Sequence, residues 1–89
     1  MLSAAQRKEL KARAHKLEPV VLIGNNGVTD QVVREVDSAL KAHELIKVRA
    51  PGLERDAREE AMQNLCERTG AEPVQAIGKI FVMYRKHDE

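Results

Sequence analysis

Eighty-nine residues hold one small domain with one core and leave no room for a second domain of ordinary size. Lys+Arg of 15 against Asp+Glu of 14 gives a net charge of +1, so the chain is neither a uniformly basic nor a uniformly acidic polyelectrolyte. No apolar run approaches the ~18 residues of a membrane span, and the start becomes charged at Arg7 before a signal-like run can form, so a soluble, untargeted protein is expected.

The first predicted helix runs from Ala4 to His15, opened by a Ser3 to Gln6 capping box. Leu10, Ala14 and Leu17 give it a thin apolar side, while Lys8, Lys11 and His15 fall at i, i+3 and i+7 along another. Pro19 then starts a first strand whose Val20 to Ile23 run is apolar on both faces, the pattern of a central strand. Gly24-Asn25-Asn26-Gly27 forms a turn, and Thr29 can cap a second helix, Asp30 to His43, with Val32, Val33, Val36 and Leu40 inward.

Leu45 to Ala50 alternates, placing Ile46, Val48 and Ala50 on a core face and Lys47 and Arg49 on the other. Pro51-Gly52 ends that strand. A third helix, Arg55 to Thr69, turns Ala57, Ala61, Met62 and Leu65 inward and stops at Gly70. Its outer face carries Glu54, Asp56, Glu59, Glu60 and Glu67, a poor surface for nucleic acid. Val74 to Ile77 and Ile80 to Arg85 make a closing hairpin across Gly78-Lys79, the length and first residue of a type II′ turn. The expected fold is α/β (α+β), in the order α-β-α-β-α-β-β, with right-handed crossovers, a four-stranded mixed sheet and helices on at least one face.

Charge becomes informative once it is split by position. Residues 1–53 hold nine Lys+Arg against six Asp+Glu, a balance of +3, and residues 54–89 hold six against eight, a balance of −2. Arg7, Lys8, Lys11, Arg13 and Lys16 face only Glu9 within the first 17 residues. Such a stripe is either the footprint of a polyanion binder or a solvated helix face.

The glycine loop also has two readings. A helix N-terminus offers unpaired N–H groups and the positive end of its dipole, and glycines let a phosphodiester backbone come close, as in a GxxG clamp. The same four residues can equally serve as a simple turn. Asp30 at the helix start opposes an incoming phosphate unless nearby lysines outweigh it.

Catalytic and metal chemistry find little footing. No Lys-Ser/Thr pair follows the loop as in a P-loop, and no dinucleotide fingerprint or nucleophile-base pair is visible. His15, His43 and His87 stand apart with no second histidine or cysteine at helical spacing, so no metal or other cofactor is expected. Cys66 is the only cysteine, reads as a small apolar side chain, and fits a reducing cytoplasm.

The residues also carry a resemblance. Ala14-His15-x-Leu17-x-Pro19-Val20-x-x-Ile23-Gly24-x-x-Gly27-Val28-Thr29, then His43-Glu44-Leu45-Ile46-Lys47-Val48, then Ile77-Gly78-Lys79 with Tyr84-Arg85 resemble the motifs of the YhbY-like, single-domain members of the CRM (chloroplast RNA splicing and ribosome maturation) group. The resemblance implies one CRM-type RNA-binding domain over residues 1–89, similar to the C-terminal domain of translation initiation factor three. It also implies binding to ribosomal RNA and large-subunit precursor particles, and no catalysis.

By position, Gly24, Asn25, Asn26, Gly27 and Thr29 are then the RNA-contacting loop, with Lys8, Lys11, His15, Lys47, Arg49 and Lys79 the flanking electrostatic surface. Asn25 and Asn26 are neutral where many such loops are basic, so phosphate contact rests on N–H groups and amides. Phe81 and Tyr84, the only aromatics, both lie in a strand, so RNA shape is a better expectation than base stacking of the RNP kind. The expected protein is a cytoplasmic monomer without DNA specificity or membrane partner. An adaptor role, with the acidic third helix as docking face and the glycine loop only a turn, is the alternative.

Overall fold

The structure, a computed structural model, describes residues 2–87. Seven elements follow in the expected order: α1 (Ala4–Ala14), β1 (Pro19–Leu22), α2 (Asp30–His43), β2 (Leu45–Arg49), α3 (Arg55–Thr69), β3 (Glu72–Ile77) and β4 (Ile80–Tyr84). Local chemistry sets their ends. The Ser3 hydroxyl oxygen accepts from the Gln6 N–H at 3.1 Å, and the Ser3 N–H donates to Gln6 Oε1 at 2.9 Å, completing the capping box of α1. The Val32 N–H donates to Thr29 Oγ1 at 3.2 Å at the start of α2, and Gly70 ends α3 at φ +75°. Gly78 opens the hairpin turn at φ +57° and Lys79 stays at negative φ, as a type II′ turn requires.

The sheet has the order β1-β2-β4-β3, with β1 and β2 parallel and the other pairs antiparallel. Helices lie on both faces. α2 and α3 cover one, where Ile23, Val36, Leu40, Ile46, Val48, Leu65, Phe81 and Met83 form the main core. α1 covers part of the other, setting Leu10 and Ala14 against Leu45, Val74 and Val82. The alternation of β2 is as expected: Ile46, Val48 and Ala50 are buried, while Lys47 and Arg49 point to the α1 face.

Several expectations are corrected. β1 is an edge strand, not a central one, and Val20 and Leu22 are 53% and 59% exposed. Its second face is apolar but only Val21 and Ile23 reach a core, because α1 stops short of it; Pro19 at its first residue suits an edge. Leu17 lies beyond the end of α1, exposed, rather than on its apolar side. In α3 the inward residues are Ala61, Leu65, Cys66 and Thr69, with Met62 partly buried and Ala57 exposed. β3 begins at Glu72, ahead of the expected Val74, and its Pro73 sits where the register shifts against β4, on the outer edge where a missing N–H is tolerated.

Cys66 is buried in the main core. Burial, followed by the nearby carboxylates of Glu72 and Glu67, pushes its thiol up to about 11, so at neutral pH it stays protonated and is no nucleophile.

Candidate nucleic-acid interface

The glycine loop follows β1 without slack. The Ile23 N–H donates to the Arg49 carbonyl at 2.8 Å, carrying the β1 to β2 pairing to the last residue before Gly24. The Gly27 N–H then donates to the Gly24 carbonyl at 3.0 Å, closing a tight turn in which Asn25 and Asn26 are the exposed tip. The backbone N–H groups of Asn25 and Asn26 have no hydrogen-bond partner among the described residues. They remain available to an anion, beside the N-terminus of α2.

The two glycines are held for different reasons. Gly27 has φ +71°, a conformation that strains any residue with a Cβ. Gly24 does not have positive φ, and a Cβ there would meet nothing within 4 Å. Nothing in the fold asks for glycine at Gly24. A close external approach would. Gly24→Ala is therefore expected to leave the melting temperature unchanged while weakening RNA binding, and Gly27→Ala to cost about 1 kcal/mol of stability by denaturant unfolding. Equal destabilisation by both would make Gly24 a structural residue only.

Asn25 is further fixed by the turn after β2. A Cβ built on Gly52 would stand 2.0 Å from Asn25 Oδ1, so the Asn25 side chain lies across the bare backbone of Gly52. Arg58 holds the same turn by donating to the Leu53 carbonyl. The Ala50 N–H donates to the Lys79 carbonyl at 2.8 Å, which brings the β3 to β4 hairpin turn to this end of the sheet as well. Parallel β1 and β2 end here and β4 begins here, so loop, Gly52 turn and Lys79 share one rim.

Ion pairs among the described residues engage Arg68 with Asp30 at 2.8 Å, Arg85 with Asp37 at 2.7 Å, Lys41 with Asp37 at 3.2 Å and Arg55 with Glu59 at 3.5 Å, all on α2, α3 or just after β4. Among the described residues no carboxylate pairs with Lys8, Lys11, Lys47, Arg49 or Lys79, all on α1 or on the sheet face and rim beside it. Paired charges stabilise a fold weakly; unpaired ones of a single sign create a field. The hollow on the opposite side of the loop is bordered by Gly27, Val28, Leu53 and Glu60, so a polyanion meets cations from the sheet side and a carboxylate from the α3 side.

Asp30 is the one carboxylate at the helix start that opposes phosphate, and Arg68 answers it. The guanidinium bond, then the Arg68 charge, holds the Asp30 carboxyl below its usual range. Sequence reading looked for lysines near the loop and missed Arg68, which lies 38 positions away and meets Asp30 only through the packing of α3 on α2.

The remaining candidate residues are spread over α1, β2 and the start of α2. Lys47 is half-buried beside α1, since its same-face neighbours Leu45 and Val82 lie under that helix; Arg49 is exposed nearer the loop. On α1, Lys8 is exposed away from the buried Leu10 and Ala14, and Lys11 is half-buried on the flank of that side. Thr29 uses its hydroxyl oxygen as a helix cap. His15 is not brought to the loop: it caps the C-terminus of α1 next to the start of β1, whereas the loop follows the end of that strand. The described residues hold no group of three potential metal ligands, and no helix is long and apolar enough to cross a membrane.

Comparison with known proteins decides the family, because the CRS1 / YhbY (CRM) domain model matches residues 2–85. This chain belongs to the CRM family. A Haemophilus influenzae protein named as an RNA-binding protein is 43% identical over 88 residues, covering 99% of this CRM chain and 89% of that protein. A Pseudomonas aeruginosa protein named as a probable RNA-binding protein is 41% identical over 86 residues, covering 97% and 83%. The solution structure of a Staphylococcus aureus protein, described as a candidate RNA binder, superposes on this CRM fold with a TM-score of 0.88 at 35% identity, covering 100% of this chain and 93% of its own.

Proposed function

We propose that this CRM chain is a non-catalytic ribosome assembly factor of the cytoplasm. It binds structured ribosomal RNA in precursors of the large subunit, with the Gly24 to Gly27 loop on the sugar-phosphate backbone and Lys47, Arg49, Lys79, Lys8 and Lys11 on neighbouring phosphates. The observation that carries this reading is the shared rim: free N–H groups at Asn25 and Asn26 stand at the same sheet end as Arg49 and Lys79. The names of the relatives support RNA as the ligand. The ribosomal target is what the family resemblance implies.

The test is sedimentation of a bacterial lysate containing the tagged protein at native level. Co-migration with large-subunit precursors, released by raising salt, is the expected result, since phosphate contacts weaken as counterions compete. Recovery only at the top of the gradient would contradict the ribosomal assignment.

A further inference from the structure

The register of the sheet sets one side chain from each strand in a single row across the α1 face. Leu22 lies opposite Arg49, Arg49 opposite Ile80, and Ile80 opposite Ile77. α1 covers the rows further from the loop, through Leu45, Val74 and Val82, and no member of this row belongs to the cluster beneath it. Leu22 and Ile77 are 59% and 61% exposed, Arg49 is exposed and Ile80 half-buried. Single exposed aliphatic residues are ordinary; three aligned around an unpaired guanidinium make a surface.

Its chemistry narrows the occupant. The partner must be anionic near Arg49 and Lys79 and must also offer flat apolar faces to Leu22, Ile80 and Ile77. A duplex presents hydrated sugar and phosphate outward and keeps its base faces inside the stack. Unpaired nucleotides present both, and a guanidinium plane also stacks on bases. Three strand spacings make the row about 14 Å long, enough for two or three bases laid across the strands.

We propose that this row is an aliphatic base platform for an unpaired RNA segment, whose adjoining phosphates reach the glycine loop. The inference rests on the RNA reading above and deepens it: the bound RNA carries single-stranded nucleotides beside its structured part. Phe81 is buried in the main core and Tyr84 packs beneath α1, so the platform is built without aromatic rings.

The test compares an unstructured pyrimidine 12-mer RNA with a 12-base-pair RNA duplex, each titrated into the natural protein and a Leu22→Ser, Ile77→Ser variant. Both positions are exposed, and thermal melting confirms the fold. The natural protein is expected to prefer the single strand by about tenfold, and the variant to lose that preference with duplex affinity and salt slope unchanged. Equal binding of both RNAs by the natural protein, or unaltered single-strand binding by the variant, overturns the platform, the latter being the outcome if the row docks a protein instead. Absence of salt-dependent binding to either RNA overturns the RNA reading itself. Methyl NMR of the unsubstituted protein gives a second readout: base ring currents should shift the Leu22, Ile77 and Ile80 methyl signals, and unshifted signals in a bound complex overturn the platform.

Discussion

Arg49→Glu with Lys79→Glu is expected to lower affinity for a ribosomal RNA fragment about 100-fold near 0.1 M salt without lowering the melting temperature by more than a few degrees. Each phosphate contact contributes about 0.7–0.9 to the log-log salt slope, so two lost contacts at roughly 0.1 M cost about 30-fold. Repulsion from the two new carboxylates accounts for the rest. The salt slope should become shallower by about 1.4–1.8. Stability should hold, because both side chains are exposed and neither pairs with a carboxylate among the described residues. The structural contact of Lys79 comes from its backbone carbonyl, which the substitution keeps. Unchanged affinity and slope would remove the sheet face from the interface.

Arg85→Ala is expected to act on the fold instead. The guanidinium donates to Asp37 Oδ1 and to the Thr69 carbonyl, each at 2.7 Å, and to the Asp37 carbonyl at 3.2 Å, tying the end of β4 to α2 and to the last turn of α3. It is only 21% exposed, so truncation takes the donor from the part-buried Thr69 carbonyl and leaves Asp37 with Lys41 as its remaining cation. Charged hydrogen bonds of this kind contribute ~1.5–3 kcal/mol, and about 2–3 kcal/mol is the expected loss, read as a fall in melting temperature of roughly 10–20 °C in a domain of this size. Lysine should rescue little, since one ammonium cannot reproduce the guanidinium fork. RNA affinity per folded molecule should stay the same. A large affinity loss at unchanged stability would instead move Arg85 into the interface.

The same site sets an acid limit on the fold. Arg85, then Lys41, holds the Asp37 carboxyl below its usual range, as Arg68 does for Asp30. A carboxyl whose pKa is lowered on folding stabilises the protein above its unfolded value, and that contribution is lost as pH falls through the lower, folded value. These pairs therefore favour the fold at neutral pH and cease to do so in acid, below about pH 4.

Local chemistry made much of this fold legible in the sequence. The Ser3 and Thr29 caps, the Gly70 stop, the Gly78 turn and the alternation of β2 each depend on residues within a few positions of one another, and each stands where it was expected. What sequence could not reveal depends on distance. Apolar residues on both sides of β1 imply burial only if something covers both faces, and the reach of α1 is a tertiary fact. The neutralisation of Asp30 by Arg68, the seat of Asn25 on Gly52 and the row from Leu22 to Ile77 all join residues far apart in the chain. Arg85 was visible only as part of a motif, and its bonds give it a structural role.

The most direct measurement titrates the protein into a structured ribosomal RNA fragment at several salt concentrations, beside an Asn25→Asp, Asn26→Asp variant shown by circular dichroism to be folded. Both positions are exposed at the loop tip, so the added carboxylates repel phosphate without entering the core. A log-log salt slope of about −2 to −4 for the natural protein, as ~3–5 neutralised phosphates would give, with affinity lost in the folded variant, is the result expected of an RNA clamp. Equal binding by both proteins would contradict it and reduce the Gly24 to Gly27 loop to a turn.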